Sequence, residues 1–250
     1  MNRATWIRIA LTIVAVLLVE ALCRFGAIDK LTMPPPSIIA LDLVRLLVSG
    51  KMNDAMLKTL WNVVAAFGAA IIVGVVLGVA IHSQRALRRS LEPLFATYYA
   101  IPVFAFYPLL IVLFGLGDAP QILIGFMLAV VAVIMNTIAG LDRVSRVLLK
   151  TARIHRLGPI ETALRVTLPC ATPYLLTGVR LAVAYAFIGV IGAEFIMSNT
   201  GVGYEISFAY NNFDNATMYP LILLIILISV MLNAALSYWE NALMQRRGYR

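Results

Sequence analysis

The sequence predicts an all-α membrane protein, a single bundle of six spanning helices. Three observations carry that expectation. The 250 residues are 62% hydrophobic and only 13% charged, where a soluble domain carries about a quarter charged residues. Apolar runs approach the length needed to cross a bilayer, too long for a helix that lies on its surface. The basic residues also fall into alternate loops. With the N-terminus inside, fourteen Lys and Arg lie in inner segments and five in outer ones, the asymmetry of a positive-inside topology. Orientation thereby accounts for the net charge of +8, and nucleic-acid binding is not expected.

Ile7 to Leu22 is the first span, following Arg3 and Arg8 and interrupted by Glu20. A cleaved signal peptide is the weaker reading, because no A-x-A site follows. Arg24 to Lys58 is a polar outer interval. In it, Met33-Pro34-Pro35-Pro36 reads as a rigid extended piece, and Ser37 as the cap of a short helix with apolar Ile38, Leu41, Val44 and Leu47. Trp61 to Ile81 is a second span without a charge, about 31 Å long as a helix. Its Gly74 and Gly78 form a small-xxx-small pair suited to close helix packing.

Ser83 to Glu92 is a basic loop. Pro93 to Gly117 is the third span, broken by Pro102 and Pro108. Freed backbone carbonyls there make both prolines candidates for lining a translocation path. Ala119 to Leu141 is the fourth span, with Asn136 as its polar interior residue. Thr172 to Phe195 is the fifth and carries Arg180 and Glu194, which lie about 21 Å apart along one helix and cannot pair within it. Ile196 to Met218 is a loop containing Gly201-x-Gly203. Tyr219 to Trp239 is the sixth span, ending in a tail with Arg246, Arg247 and Arg250.

Between spans four and five lies Asp142 to Pro173, the longest polar interruption of the C-terminal half. Val144, Val147, Leu148 and Thr151 at i, i+3, i+4 and i+7 predict a helix with basic residues on its other faces. Leu157-Gly158-Pro159 separates it from a second helix, opened by Pro159, supported by the Glu161–Arg165 pair and stopped by Pro169. This basic helix-turn-helix is expected on the inner side, as the handle by which another protein moves the spans. The chain divides into residues 1–58, the first span with the outer segment, and 59–245, the transmembrane domain, whose handle is 142–170.

No phosphate-cradling loop or catalytic constellation is present, and Cys23, Cys170, His82 and His155 are not spaced as metal ligands. The topology places the two cysteines on opposite sides of the membrane, so no disulfide is expected between them. No enzyme activity and no cofactor are expected. Energy for uphill transport must then come from an ion or a partner.

Four stretches give the chain its resemblance to a known family: Met33-Pro34-Pro35-Pro36-Ser37, the run LEPLFATYYAIPVFAFYPLLIVLFGLG, Asn199-Thr200-Gly201-Val202-Gly203-Tyr204, and Val166-Thr167-Leu168-Pro169. They are similar to the permease subunits of binding-protein-dependent ATP-binding-cassette (ABC) importers, in the nitrate/sulfonate/taurine group. The resemblance implies a type I ABC importer permease with a cytoplasmic coupling helix, in a bacterial inner membrane with both termini cytoplasmic. It implies two ATPase subunits that bind the ATP, a second permease copy, and a soluble periplasmic binding protein that sets most of the specificity. The solute would be a small organic or oxyanionic nutrient such as nitrate, a sulfonate, taurine or a vitamin precursor.

In that family the coupling segment opens with Glu-Ala-Ala-x-x-x-Gly. Counted back from Pro169, Lys150, Thr151 and Ala152 take the first three positions and Arg156 the glycine, so only Ala152 matches. The implied ATPase-coupling residues are Lys150, Thr151, Ala152, Arg153, His155, Arg156, Leu157, Gly158 and Glu161. The docking surface is expected to keep its shape while its charge changes, with Gly158 two residues beyond the lost glycine. Candidates for the path are Pro102, Pro108, Asn136, Arg180 and Glu194. Two other readings are an ion-coupled secondary transporter, which would want inverted repeats and midplane ionisable groups, and a membrane scaffold or assembly factor.

Overall fold

The computed structural model describes residues 3–29 and 32–246, and every regular element among them is helical. Arg247, Arg250 and Lys30, counted in the charge distribution, lie outside the described residues. Among the described residues five helices are long and apolar enough to cross a membrane: Trp6–Arg24, Asn53–Ser83, Asp118–Asp142, the stretch Ala163–Asn211, and Asn215–Gln245. The expected third span is not among them. It is segmented into α4 (Arg85–Tyr98), a 3-10 turn (Val103–Phe106) and α5 (Tyr107–Phe114). The prolines explain the breaks. Pro102 has an extended backbone just before the 3-10 turn, and Pro108 sits in the first turn of α5, where its missing N–H costs nothing. The pieces are fastened inward: Val103 and Tyr107 are buried with Ile124 and Ala193, and the Tyr98 hydroxyl donates to the Met127 carbonyl at 2.9 Å.

At the N-terminus, α1 (Arg3–Arg24) leads to α2 (Pro36–Val48). Ser37 is not the cap of α2. The helix starts a residue earlier, with Pro36 in its first turn, and the free N–H is taken by a residue of α1. Glu20 Oε2 accepts from the Ser37 backbone N–H at 2.9 Å and Oε1 from the Ser37 hydroxyl at 2.7 Å, while Arg24 Nε donates to Oε1 at 2.6 Å. A carboxylate at a helix N-terminus is favoured by the helix dipole. This explains why an acid interrupts the first apolar run. The residues Ile38, Leu41, Val44 and Leu47 form the exposed side of α2, and Ile39 and Leu43 are the buried ones. Leu43 packs with Val202 and Ile206 of α10 (Val202–Asn211) and Leu221 and Leu224 of α11 (Asn215–Arg246).

The core is a three-helix sandwich. Helix α6 (Asp118–Asp142) lies between α3 (Asn53–Ser83) and α9 (Leu168–Met197), and its Val130, Val131, Val133 and Ile134 are buried with Ala66 and Ala70 of α3 and Ala182, Ala186 and Val190 of α9. Lipid tails are as apolar as leucine, so helices in a bilayer gain from close packing instead of from escape from water. The sequence supplies small residues where the axes approach. A Cβ on Gly74 would lie 2.6 Å from Val133 Cβ, one on Gly78 2.6 Å from Thr137 Cβ, and one on Gly189 2.7 Å from Gly125 Cα. The Gly74/Gly78 pair thus closes α3 onto α6, and Gly125/Gly189 closes α6 onto α9.

Two ion pairs brace the sandwich at its ends. Lys58 meets Asp118 at 2.8 Å, and Arg88 meets Asp142 through two 2.7 Å hydrogen bonds. The Asp142 carboxylate raises the Arg88 guanidinium still further above its usual value. Cys23 and Cys170 are both free thiols.

This packing predicts a contrast between glycines. Gly189→Ala must separate α6 from α9, a change that costs about 1–3 kcal/mol, whereas a methyl group on Gly68 would meet nothing within 4 Å. Gly68→Ala should therefore be neutral or gain up to about 1 kcal/mol of helix propensity. Thermal unfolding in detergent distinguishes them, and equal losses from both substitutions would refute the close approach.

Candidate functional site

The segment after α6 builds an exposed basic knob. Ser145 has an extended backbone and its hydroxyl accepts from Val147 N–H at 3.2 Å, which caps α7 (Arg146–Ile154). The helix closes with Arg156 N–H donating to the Arg153 carbonyl at 2.9 Å and Leu157 N–H to the Ala152 carbonyl at 3.0 Å. That pair of bonds is a Schellman ending, whose left-handed residue is most often glycine. Here it is Arg156, at φ +52°. The turn that the resemblance places at this position is therefore kept without its glycine, and Gly158 does not replace it. The left-handed backbone costs an L-residue roughly 1–2 kcal/mol.

The second half of the expected helix-turn-helix is not a separate helix. Pro159 opens α8 (Pro159–Thr162), which runs through a π-helical turn (Ala163–Thr167) directly into α9. The sequence rule has Pro169 stopping the helix. Instead, Leu168 N–H reaches five residues back to the Ala163 carbonyl, and the widened turn makes room for the Pro169 ring at the start of the next helix. Helix α9 thus begins at Leu168 and is continuous with α8 through the π-helical turn. Glu161 and Arg165 pair at 3.5 Å on its exposed side.

The coupling candidates share this knob. Lys150, Thr151, Arg153, His155, Arg156 and Glu161 are exposed, Leu157 and Gly158 are half-buried, and Ala152 is buried. Ala152, the one position matching the signature, faces inward. Beside the charges, Val147 and Ile154 are 69% and 79% exposed, so the knob offers apolar side chains ringed by basic ones.

The path candidates do not form a set: no hydrogen bond or ion pair joins any two of them among the described residues. Pro102 and Pro108 are exposed at the breaks of the segmented stretch. Asn136 donates to the Ala132 carbonyl of its own helix at 2.8 Å and packs against Gly178. Arg180 crosses to α11, its Nε and Nη2 donating to Asn233 Oδ1 at 3.0 and 2.7 Å.

Glu194 is wholly buried. Thr59 Oγ1 of α3 donates to its two oxygens at 3.0 and 2.8 Å, and Gly203 N–H of α10 donates to Oε2 at 3.0 Å. Thr59 Oγ1 also accepts from Val202 N–H at 2.8 Å. The Gly-x-Gly turn is shaped to this carboxylate: Gly201 has φ +99° and a Cβ there would overlap the carboxyl, while a Cβ on Gly203 would lie 2.6 Å from Glu194 Cβ. Alongside runs a second buried chain, Asn62 Nδ2 to Gln121 Oε1 at 2.7 Å and Gln121 Nε2 to Ser198 Oγ at 2.6 Å. Thr59, Asn62 and Gln121 went unrecognised in the sequence. Their signal was polarity at the ends of otherwise apolar runs.

Comparison with known proteins agrees with this architecture. The chain is 27% identical over 180 residues to a nitrate import permease protein, NrtB, of Leptolyngbya laminosa, a match covering 72% of this chain and 64% of that relative. It is 28% identical to the taurine transport system permease protein TauC of Escherichia coli, covering 73% of this chain and 68% of the relative. Its fold matches a chain of the MetNI methionine ABC transporter, solved in inward-facing conformations, with a TM-score of 0.62 at 17% identity, covering 76% of this chain and 97% of the other. The family model for binding-protein-dependent transport system inner membrane components matches residues 70–249, and the chain belongs to that family.

Proposed function

We propose that this chain is the membrane-spanning subunit of an ATP-driven importer that receives a small organic or oxyanionic solute from a soluble binding protein. The observation that carries the reading is the knob formed by α7 and the Arg156 turn, set at the end of the helix that runs unbroken from α8 through the π-helical turn into the core helix α9. A short helix with exposed Val147 and Ile154 suits a helix-in-groove contact with an ATPase subunit. The basic residues around it suit an acidic rim on that groove. Two such chains around a two-fold axis, each with an ATPase, would convert closure of the ATPases into rigid movement of the spans.

Six crossings follow if the segmented stretch from α4 to α5 passes through the membrane, and the distribution of basic residues then favours both termini inside. ATP hydrolysis belongs to the partner subunit. The relatives' nitrate and taurine support an anionic or sulfonate-bearing solute.

Uptake driven by ATP in vesicles containing this chain, its ATPase and its binding protein tests the reading. Arg153→Glu or Arg156→Glu should lower uptake by roughly tenfold, equivalent to about 1.4 kcal/mol of docking free energy, while the protein still inserts. Normal uptake and normal ATPase capture by both variants would refute the coupling role. Arg156→Gly separates geometry from charge: relief of the left-handed backbone should stabilise the fold by about 1 kcal/mol, seen as a higher unfolding temperature. Uptake that survives ATP depletion and fails with an uncoupler would favour ion coupling instead.

A further inference from the structure

A cavity of about 290 Å³ lies between α9 and α11, with Arg180, Ala184, Phe187, Ser229, Asn233 and Leu236 in its lining. Its walls are mostly hydrocarbon, with a few polar groups at one end, the usual make-up of a small-molecule site. Arg180 lies twelve positions into α9, about 18 Å from its start, and is the one basic residue in the interior of the spans expected from the sequence. A cation at such a depth is expensive, and it marks a functional site more often than not.

The guanidinium is only partly engaged. It has five N–H donors, of which Asn233 Oδ1 takes those on Nε and Nη2. Glu240 Oε2 lies 3.8 Å from Nη1, beyond a hydrogen bond, and is not in the cavity lining. Among the described residues Asn233 Nδ2 and the Ser229 hydroxyl have no protein partner. Donors on three side chains therefore border one small, largely apolar space, and no carboxylate is in its lining.

We infer that this cavity binds a small oxyanion, a planar nitrate-like or carboxylate-like group or a sulfonate, through Arg180, Asn233 and Ser229. A planar fork of N–H donors matches two oxygens of such a group. The inference rests on the importer reading and gives the pore a solute handle of its own, where the sequence left specificity to the binding protein. The phosphate of a lipid headgroup carries the same chemistry, so the test has an arm for each source.

The complete transporter, with ATPase and binding protein, is reconstituted in liposomes containing phosphatidylglycerol and given labelled nitrate, taurine and bicarbonate in turn. For a probe that the wild type imports, Arg180→Gln and Asn233→Asp should each cut solute moved per ATP by about tenfold or more, the scale of a lost charged hydrogen bond. Asn233→Asp is nearly isosteric, so its loss is not a folding defect. Glu240→Gln breaks the same α9–α11 ion pair but leaves the cation. It should stay within about twofold of wild type, because a half-exposed pair contributes little. A purely structural anchor predicts a different pattern: Asn233→Asp, which keeps an acceptor for Arg180, stays near wild type while Arg180→Gln fails.

Uptake of a probe that is unchanged in Arg180→Gln overturns the solute site and leaves the importer reading intact. If native mass spectrometry then shows phosphatidylglycerol retained by wild type and lost from Arg180→Gln, the oxyanion is a lipid headgroup. A wild type that imports none of the three anions refutes the oxyanion class. Import that needs no ATP refutes the importer reading alone, since the variant comparison still judges the site.

Discussion

The structure depends on one backbone accommodation, the π-helical turn at Ala163–Thr167. A proline in a helix normally interrupts it by removing a donor and crowding the preceding turn. Here the wider turn precedes Pro169, and the backbone stays helical from Pro159 to Met197, roughly 55–60 Å at helical rise. One end of this rod carries the α7 knob, through the turn at 155–158, and the other carries Glu194. Had Pro169 ended the helix, a second joint would lie between the knob and the core, beyond the turn at 155–158. A single rod delivers displacement at one end to the other.

What the rod is fixed to is equally unequal. Toward α6 it closes through Gly125 and Gly189, where the backbones approach too closely to admit a Cβ. Toward α10 and α3 it closes through Glu194, whose carboxylate is satisfied by Thr59 and Gly203 instead of by a cation. A buried carboxylate without those donors would be untenable, so the three elements hold together or come apart as a unit. Toward α11 the contact is slight, and the cross-helix polar contacts at its inner half run through Arg180, to Asn233 and Glu240. The molecule is a rigid sandwich of α3, α6 and α9 with α1, α2 and α11 arranged around it.

Local signals in the sequence were legible and long-range ones were not. The apolar runs located the long helices, the Gly74/Gly78 pair identified a packed face, and Pro159 and the Glu161–Arg165 pair read correctly because each is decided within a turn. The prolines of the third span were seen as breaks, but segmentation into three pieces depends on how Tyr98, Val103 and Tyr107 seat against α6 and α9. Ser37 looked like a cap because its true partner, Glu20, lies 17 positions away. Glu194 looked like a charge facing a path because Thr59, which neutralises its cost of burial, lies 135 positions away. Rules for turns assign the left-handed residue to a glycine, and Gly158 was at hand. The backbone placed it at Arg156 because the Schellman bonds close where α7 ends, whatever residue stands there.

The two charges of α9 differ in how far their surroundings satisfy them. Both bear the penalty of an ion in a bilayer helix. Glu194 meets it completely, in a pocket that two glycines close to any added atom, and nothing could bind there without dismantling the fold. Arg180 meets it halfway, against an amide oxygen and a distant carboxylate, beside a space large enough for several atoms. The same guanidinium is the tie between the rod and α11, so an anion entering that space and the α11 acceptors compete for one set of donors. Occupancy of the cavity would then alter how firmly α11 holds the rod, and a bound anion would be sensed by the same helix that carries the knob.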